Sequence, residues 1–414
     1  MRTTTLLRVL LSIQHLIVHG FTFDDHGLVV QVVPEGRVPR CGECGANARR
    51  VKDRRLRRWR HLDAVGMMVH LEYRIRRVRC PACEGVKTEQ VPWADAGSGF
   101  THAFEERAAC LAQQTSRTAV SDFLRITWRT VGRIIISVVA KHLDAGEDRL
   151  DGLRHIGIDE LSYRRHHEYI TTVVNHELGI VSWAAKGKNA DTLRGFFEAL
   201  GPERCALIES VTIDLSQAYI SVVEEMVPNA LLIFDRFHVQ RLVHAAVDET
   251  RRDEVRAAGT KEEKKALKGT RWALLKREWN LDDDDLQTLD ELEESNRSLF
   301  RAHLLKEAFA GILDGRQINV ARDRLVHWID EAKASGLSHF ARAARTIERH
   351  MQGILEYIRT RFSNGRTEGL NGKTRTITRR AYGFHSASSL IAMIFLCCGG
   401  VHVTPAFSAP AGFH

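Results

Sequence analysis

The sequence is poor in cysteine for its length, and we find no internal repeat and no low-complexity tract in it. Eight cysteines in 414 residues do not make the dense disulfide framework of a small secreted domain, which favours a reducing compartment. The apolar run SLIAMIFLCCGGV is too short to cross a bilayer, so we expect no membrane partner. Arg8, Gln14 and His15 interrupt the N-terminal apolar stretch, and no cleavage site follows, so we expect a cytoplasmic protein without a signal peptide.

The composition that is present points to a globular protein with an anionic partner. A hydrophobic content of 44% can bury a sizeable core, and the length predicts two or three domains. The formal net charge is +8, and clustered Lys and Arg side chains gain affinity for phosphate backbones by releasing counterions. A nucleic acid is therefore a reasonable partner.

Composition shifts divide the chain into five segments, which together predict a multidomain α/β protein. In chain order they are a strand-like segment around the cysteine pairs (1–95), a helical segment (96–150), a strand-rich segment (151–240), a charged all-helical segment (241–360) and a basic motif followed by an apolar segment (361–414).

Four of the cysteines form two close pairs, Cys41 with Cys44 and Cys80 with Cys83. Each pair has the spacing of a knuckle that presents two thiolates to one tetrahedral zinc ion, so the two pairs together predict a four-cysteine Zn²⁺ site. Because such a site leaves no open coordination position, its role should be structural. The alternative is two unrelated reduced pairs.

A basic stretch, RRVKDRRLRRWRH at 49–61, lies between the cysteine pairs. Arginine suits phosphate contact and an interleaved aromatic ring suits stacking, so Arg58 and Trp59 are candidate DNA contacts. The alternative is a solvated basic face.

A helix-turn-helix pattern follows. A short helix is predicted from Thr118 to Leu124, with a polar break and a longer helix from about Trp128. The N-terminal residues of the second helix would then face the DNA major groove. They are Arg129, Thr130 and Arg133. A generic helical hairpin has the same pattern.

Three strand-like segments lead directly into aspartates, namely Asp159, Asp214 and Asp235. The order of strands and helices matches the ribonuclease H-like fold, in which the first and fourth strands are neighbours. Asp159 and Asp214 would then lie within reach of the same divalent cations, whereas Asp235 would be one strand further out and is the second choice. Two such cations need a third carboxylate.

Glu368 is the candidate for that third carboxylate, because it lies in the basic motif SNGRTEGLNGKTRTITRRAYGF rather than in the charged helical segment. The cations after it are candidates for holding a DNA backbone near the metal ions. They are Lys373, Arg375, Arg379 and Arg380.

The segments GIDE (157–160), VTIDLSQAY (211–219), FDRFHVQR (234–241) and the basic motif, together with the cysteine pairs, resemble the ISL-three family of bacterial insertion-sequence transposases. The resemblance implies a DDE transposase with a ribonuclease H-like core, in which Asp159, Asp214 and Glu368 match the three metal-binding acids. An all-helical insertion (241–360) would account for the long separation of the last two, and would divide the catalytic core into residues 151–240 and 361–414. Asp235 and His238 resemble a supporting DxxH element, although His238 could equally be a packing residue.

The activity implied by this resemblance is recognition of terminal inverted repeats followed by DNA cleavage and strand transfer with Mg²⁺ or Mn²⁺. A homodimer or a higher assembly would hold the two element ends, and the protein would be associated with the bacterial nucleoid. Two alternatives are a catalytically silent, domesticated transposase that regulates through DNA binding, and a metal-dependent nuclease on the same fold.

Overall fold

The structure is a computed structural model, and its chain forms two compact units. The first unit comprises residues 1–146, 379–382 and 388–414, and the second comprises residues 147–378 and 383–387. The described residues are 7–403 except 9, 12, 37, 147, 165–167, 363–364, 381–383 and 385; side chains of 163, 164, 365–368, 371 and 380 are also outside them.

A five-stranded sheet forms the N-terminal part of the first unit, in the order β1-β2-β4-β3 with β5 paired to β4. Its strands are β1 (Leu16–Asp24), β2 (Gly27–Pro34), β3 (Arg50–Ala64), β4 (Met67–Cys80) and β5 (Gly85–Thr88). Alternating apolar residues of β2, β3 and β4 face one core, which includes Trp59, Leu71 and Trp93.

Three helices complete this part of the unit: α1 (His102–Gln114), α2 (Arg117–Leu124) and α3 (Trp128–Ala145). Each begins after a capping side chain, respectively Thr101, Ser116 and Thr127. Arg125 is left-handed with φ 55° and ends α2. The observed α2 and α3 agree with the predicted short and long helices.

The C-terminal helix Ala387–Cys398 belongs with these helices in the first unit, where the sequence interpretation assigned all of 361–414 to the catalytic part. The Gln113 side-chain amide donates to the carbonyl of Leu396 at 2.7 Å. Arg117 donates to the carbonyl of Ser389 at 3.2 Å. The helix is apolar around most of its circumference, so it requires burial, and the first unit provides the partners for its backbone.

The second unit contains a mixed sheet with the order β10-β9-β6-β7-β8. Its strands are β6 (His155–Arg164), β7 (Glu168–Asn175), β8 (Ile180–Lys186), β9 (Ser210–Ile213) and β10 (Leu231–Phe234). Strands β6 to β8 form an antiparallel meander, while β9 runs parallel to β6 and β10 runs parallel to β9. The connecting helices are α4 (Ala190–Leu200), α5 (Pro202–Cys205) and α6 (Gln217–Met226).

Every regular element between residues 236 and 360 is helical, in agreement with the predicted helical segment. The α-helices are α7 (Arg236–Ala257), α8 (Lys261–Gly269), α9 (Arg271–Leu275), α10 (Asp283–Ser295), α11 (Arg297–Asp314), α12 (Ile318–Ala334), α13 (Ser338–Arg349) and α14 (Met351–Thr360), with a 3₁₀ turn at Glu278–Asn280. Helix α7 begins five residues before residue 241, where the helical segment was predicted to start. These helices share one hydrophobic core with the sheet.

Helix α15 (Gly365–Arg380) follows the helical block, and α16 is the C-terminal helix Ala387–Cys398. Among the described residues, no helix combines the length and the apolar character needed to span a bilayer.

Candidate functional site

The four cysteines of the two predicted knuckles lie together, with all their sulfur atoms within 4.8 Å of one another. The Sγ atoms of Cys41 and Cys83 are 3.9 Å apart, and those of Cys44 and Cys80 are 3.5 Å apart. A tetrahedral Zn²⁺ with bonds of about 2.3 Å to sulfur would separate its ligands by about 3.8 Å. The cluster therefore has the size and the donor set of a four-thiolate zinc site.

Local backbone structure prepares these thiols for a cation. Hydrogen bonds from the backbone N–H groups of Cys44 and Glu43 lower the pKa of Cys41 to about 7. Conversely, the Cys44 side chain and the other crowded thiols raise the pKa of Cys83 to about 12. Four neighbouring thiols cannot all ionise without a compensating charge, and a divalent cation would supply it.

In the helix-turn-helix, Arg129 and Arg133 are exposed at the start of α3, but Thr130 is only 8% exposed. The backbone N–H of Thr130 donates to Oγ1 of Thr127 at 3.2 Å, and the two hydroxyl groups are 2.9 Å apart. Thr130 is thus part of the N-terminal cap of the helix. The predicted DNA contact at Thr130 is not supported, because its side chain is turned into the cap.

The two predicted contacts in the basic stretch have other partners. Arg58 is ion-paired with Asp24 at 2.6 Å and with Glu72 at 2.7 Å. Trp59 is 1% exposed, and its ring packs edge-to-face against Trp93 with 5.6 Å between centroids. The prediction that Trp59 stacks on DNA is therefore wrong for this fold, because alternation along β3 points the ring into the core.

One of the predicted acids, Asp159, lies within β6, and another, Asp214, directly follows the adjacent parallel strand β9. In the β6–β9 ladder, Gly157 pairs with Thr212. Continuing this register by two residues brings Asp159 opposite Asp214, and neighbouring strands are about 4.8 Å apart. Each carboxylate also accepts a nearby backbone hydrogen bond: Asp159 accepts from the N–H of Glu160 at 2.7 Å, and Asp214 accepts from that of Ser216 at 2.9 Å. The register thus brings the two aspartates side by side where the β6–β9 pairing ends.

Asp235 occupies the equivalent position on the next strand outward, because Phe234 pairs with Ile213 in the β9–β10 ladder. It is only 3% exposed and precedes the first residue of α7. Nε2 of His238 lies 4.0 Å from its carboxylate. Its burial distinguishes it from Asp159 and Asp214, which are both partly exposed.

Glu368 belongs to helix α15, but its side chain and that of Arg380 lie outside the described residues. The side chains of Lys373, Arg375 and Arg379 are exposed on the same helix. Just before the helix, the Phe362 ring packs 4.8 Å from the ring of His155 at the start of β6. The chain leading into α15 is therefore held against the sheet that carries the aspartates.

Sequence reasoning missed Glu160, although the acid pair in GIDE could have signalled it. Its side chain hydrogen-bonds the hydroxyl of Tyr219, which in turn lies 2.7 Å from Oγ1 of Thr171. Burial, together with the nearby charge of Asp214, raises the pKa of the Glu160 carboxyl. Glu160 pairs with Thr171 across the strands and lies one residue from Asp159, so the two acids point to opposite faces of β6.

Comparisons with known protein families agree with this arrangement. Residues 156–394 match the ISL3-type DDE family described as a transposase. Residues 89–139 match the helix-turn-helix domain of transposase family ISL3, and residues 37–83 match the zinc-finger of transposases IS204, IS1001, IS1096 and IS1165. The predicted family resemblance is confirmed.

Two curated relatives match most of the chain. The transposase for insertion sequence element IS1557 of Mycobacterium tuberculosis is 36% identical over 433 aligned residues, covering 97% of this chain and 96% of the relative. The transposase for IS1001 of Bordetella parapertussis is 28% identical over 359 residues, covering 86% of this chain and 88% of the relative.

Proposed function

The chain belongs to the ISL3 family of insertion-sequence transposases, and from that premise we propose that it acts as a DDE transposase on the terminal inverted repeats of its own element. The proposed reaction is metal-dependent DNA cleavage followed by strand transfer. The observation that carries this proposal is the register of β6 and β9, which brings Asp159 and Asp214 side by side where the pairing of the two strands ends.

The proposed catalytic core is ribonuclease H-like and is interrupted by an all-helical insertion. An antiparallel three-stranded meander extended by two parallel strands supports the first part of this proposal. The second part is supported by the helices of residues 236–360, which lie between β10 and the helix of Glu368. This arrangement would account for the long separation of Asp214 and Glu368 along the chain.

Asp159, Asp214 and Glu368 would hold the catalytic Mg²⁺ or Mn²⁺ ions, since carboxylate oxygens are the donors that these hard cations prefer. When bound, such ions activate the attacking oxygen and stabilise the leaving oxygen of an in-line phosphoryl transfer. The chain orients the two aspartates, because each carboxylate accepts a hydrogen bond from a backbone N–H group. We assign Asp235 a supporting role with His238, because its burial leaves it less accessible to a hydrated cation.

The cysteine cluster would hold a structural Zn²⁺ that links the turn after residue 40 to the end of β4. DNA contacts are proposed at Arg129 and Arg133 in the helix-turn-helix, and at the cations of α15, including Arg380. Because strand transfer joins two element ends to a target, we propose a homodimer or a higher assembly. With DNA as its substrate, the protein would be cytoplasmic and associated with the nucleoid.

The reaction can be tested with labelled element ends and a target plasmid in the presence of Mg²⁺ or Mn²⁺. Joined product is the expected result. Cleavage without joining would favour the nuclease alternative, and end binding without either reaction would favour a regulatory, catalytically silent transposase.

The assignment of the acids can be tested separately. Asp159→Ala, Asp214→Ala and Glu368→Gln should each reduce cleavage by more than the roughly 10- to 100-fold typical of changes to groups that only orient metal ligands, while end binding is kept. Asp235→Asn should reduce cleavage less than these three substitutions do. Asp191→Asn is a matched control, because this carboxylate lies on α4 of the same unit and its side chain is 86% exposed. If Glu368→Gln cleaved DNA at the wild-type rate, the assignment of Glu368 as the third metal ligand would be refuted.

A further inference from the structure

The longest strands of the first unit, β3 and β4, form a hairpin that places some of its arginines directly opposite other arginines or apolar residues. Arg54 pairs with Arg76, and Arg74 pairs with Leu56. Like charges opposite each other destabilise a sheet. An anionic partner would relieve this cost wherever an arginine has no acidic neighbour.

Four of the ten arginines of the hairpin form ion pairs within the described part of the protein. Arg76 is ion-paired with Glu89 at 2.6 Å, and Arg77 is ion-paired with Asp53. Arg54 and Arg74 are exposed, and neither forms an ion pair with an acidic side chain in the part of the chain that the structure describes. The same holds for Arg50, Arg55 and Arg79, but these three do not line the groove described next. The charges of Arg54 and Arg74 remain available to a ligand.

These two arginines line a groove on the solvent face of the sheet, together with Gln31, His19 and Arg76. The one acid on its wall, Glu72, is already paired with Arg58 at 2.7 Å. Leu56 lies between the two arginines and is 59% exposed. Unpaired guanidinium groups beside an exposed apolar side chain match the alternating phosphates and sugars of a DNA backbone.

The hairpin also connects this groove to the helix-turn-helix. At the hairpin turn, Arg125 donates to the carbonyl of Gly66 at 3.2 Å and pairs with Asp63. Arg54 lies nine residues from Asp63 (63 minus 54), and Arg74 lies eight residues from Gly66 (74 minus 66). At about 3.3 Å per residue, these separations are about 26 to 30 Å. One turn of B-DNA is about 34 Å long.

We propose that Arg54 and Arg74 bind phosphates of the element end roughly one helical turn away from the base pairs read by helix α3. The hairpin thus acts as a spacer between a sequence-reading helix and a backbone-binding groove. This inference rests on the proposed function, since it requires that the chain binds element ends.

The test uses the full chain and a 60-base-pair duplex that carries the inverted repeat flanking the gene, with an unrelated duplex of equal length for comparison. Affinity is measured between 50 and 200 mM salt for the wild type and for Arg54→Gln/Arg74→Gln. Each lost phosphate contact lowers the slope of log affinity against log salt by about 0.9, so the slope should fall by about 1.8. Over this fourfold salt range, the variant should lose about 12-fold less affinity than the wild type.

Trimming the duplex in steps of about ten base pairs from either side locates the contact. Removing one flank should weaken the wild type to the affinity of the double variant and should leave the double variant unchanged. The matched control is Arg8→Gln/Arg77→Gln, which removes two arginines of the same unit that are already paired, with Glu35 and Asp53. Its salt slope should match that of the wild type.

Zinc content and thermal melting should be equal in all variants, which shows that the unit is folded. A double-variant slope within about 0.5 of the wild-type slope, or an equal sensitivity to trimming, would overturn this inference alone. A wild type that does not prefer the element end over the unrelated duplex would overturn the proposed function as well.

Discussion

Trp59 gives the sharpest test of how this fold uses its basic hairpin. Its side chain is 1% exposed and contacts Trp93 in the core of the first unit. Truncating a buried Trp to Ala typically costs about 3–5 kcal/mol. The indole N–H has no hydrogen-bond acceptor in the described part of the chain, so Trp59→Phe should lose mainly buried atoms. At about 0.8 kcal/mol for each buried group of CH₂ size, that loss is about 2 kcal/mol.

Thermal and urea unfolding of the two variants should therefore give graded losses, with Trp59→Ala much less stable than Trp59→Phe. Zinc release, followed with a chromogenic chelator, reports on this unit independently of the other. End binding should be unchanged in Trp59→Phe at a temperature where it is fully folded, because the ring does not reach the surface.

The opposite result is equally well defined. If Trp59 stacked on DNA, Trp59→Ala would cost about 1–3 kcal/mol of binding energy, or about 5- to 150-fold in affinity. A Trp59→Ala protein with wild-type stability and a loss of affinity of this size would refute the assignment of Trp59 to the core.

Two further predictions concern the metal cluster and the helical block. Cys80→Ser should lose bound zinc and end binding, whereas Cys110→Ser, which lies outside the cluster, should retain both; a Cys80→Ser protein with one zinc per chain by elemental analysis would contradict the assignment. Gly353→Ala should destabilise the second unit by about 1–3 kcal/mol, because the added carbon would lie 2.5 Å from the Phe234 ring. Gly311→Ala meets nothing within 4 Å and should instead stabilise its helix by up to about 1 kcal/mol, so equal melting shifts in the two variants would contradict the close packing of Gly353.

Local sequence patterns predicted the features that depend on neighbouring residues. The spacing of the cysteines indicated two knuckles, and the break before Trp128 indicated a second helix, because turns and caps are encoded within a few positions. The three aspartates were also visible, since an apolar run leads into each of them, although β6 continues beyond Asp159 to Arg164.

The direction of individual side chains was less predictable. Trp59 and Thr130 lie in segments with the expected polar character, but each is buried by a contact that its own segment does not specify. Trp59 meets a tryptophan 34 positions away (93 minus 59), and Thr130 turns back onto the cap residue Thr127. The C-terminal helix likewise packs with residues such as Gln113, which are distant in sequence. In each of these cases, contacts with residues outside the local sequence pattern determine where the side chain or helix lies.

The helical block and the aspartates are mechanically connected. Asp235 directly follows β10 and immediately precedes α7, so the carboxylate position is fixed by the strand and by the first helix of the block. At the other end of the block, Gly353 of α14 allows close contact with Phe234 on the same strand. The first and the last helix of the block therefore both hold β10 in place. Strand β10 in turn pairs with β9, which leads into Asp214. A packing defect at Gly353 should therefore disturb β10 and, through its pairing with β9, the position of Asp214.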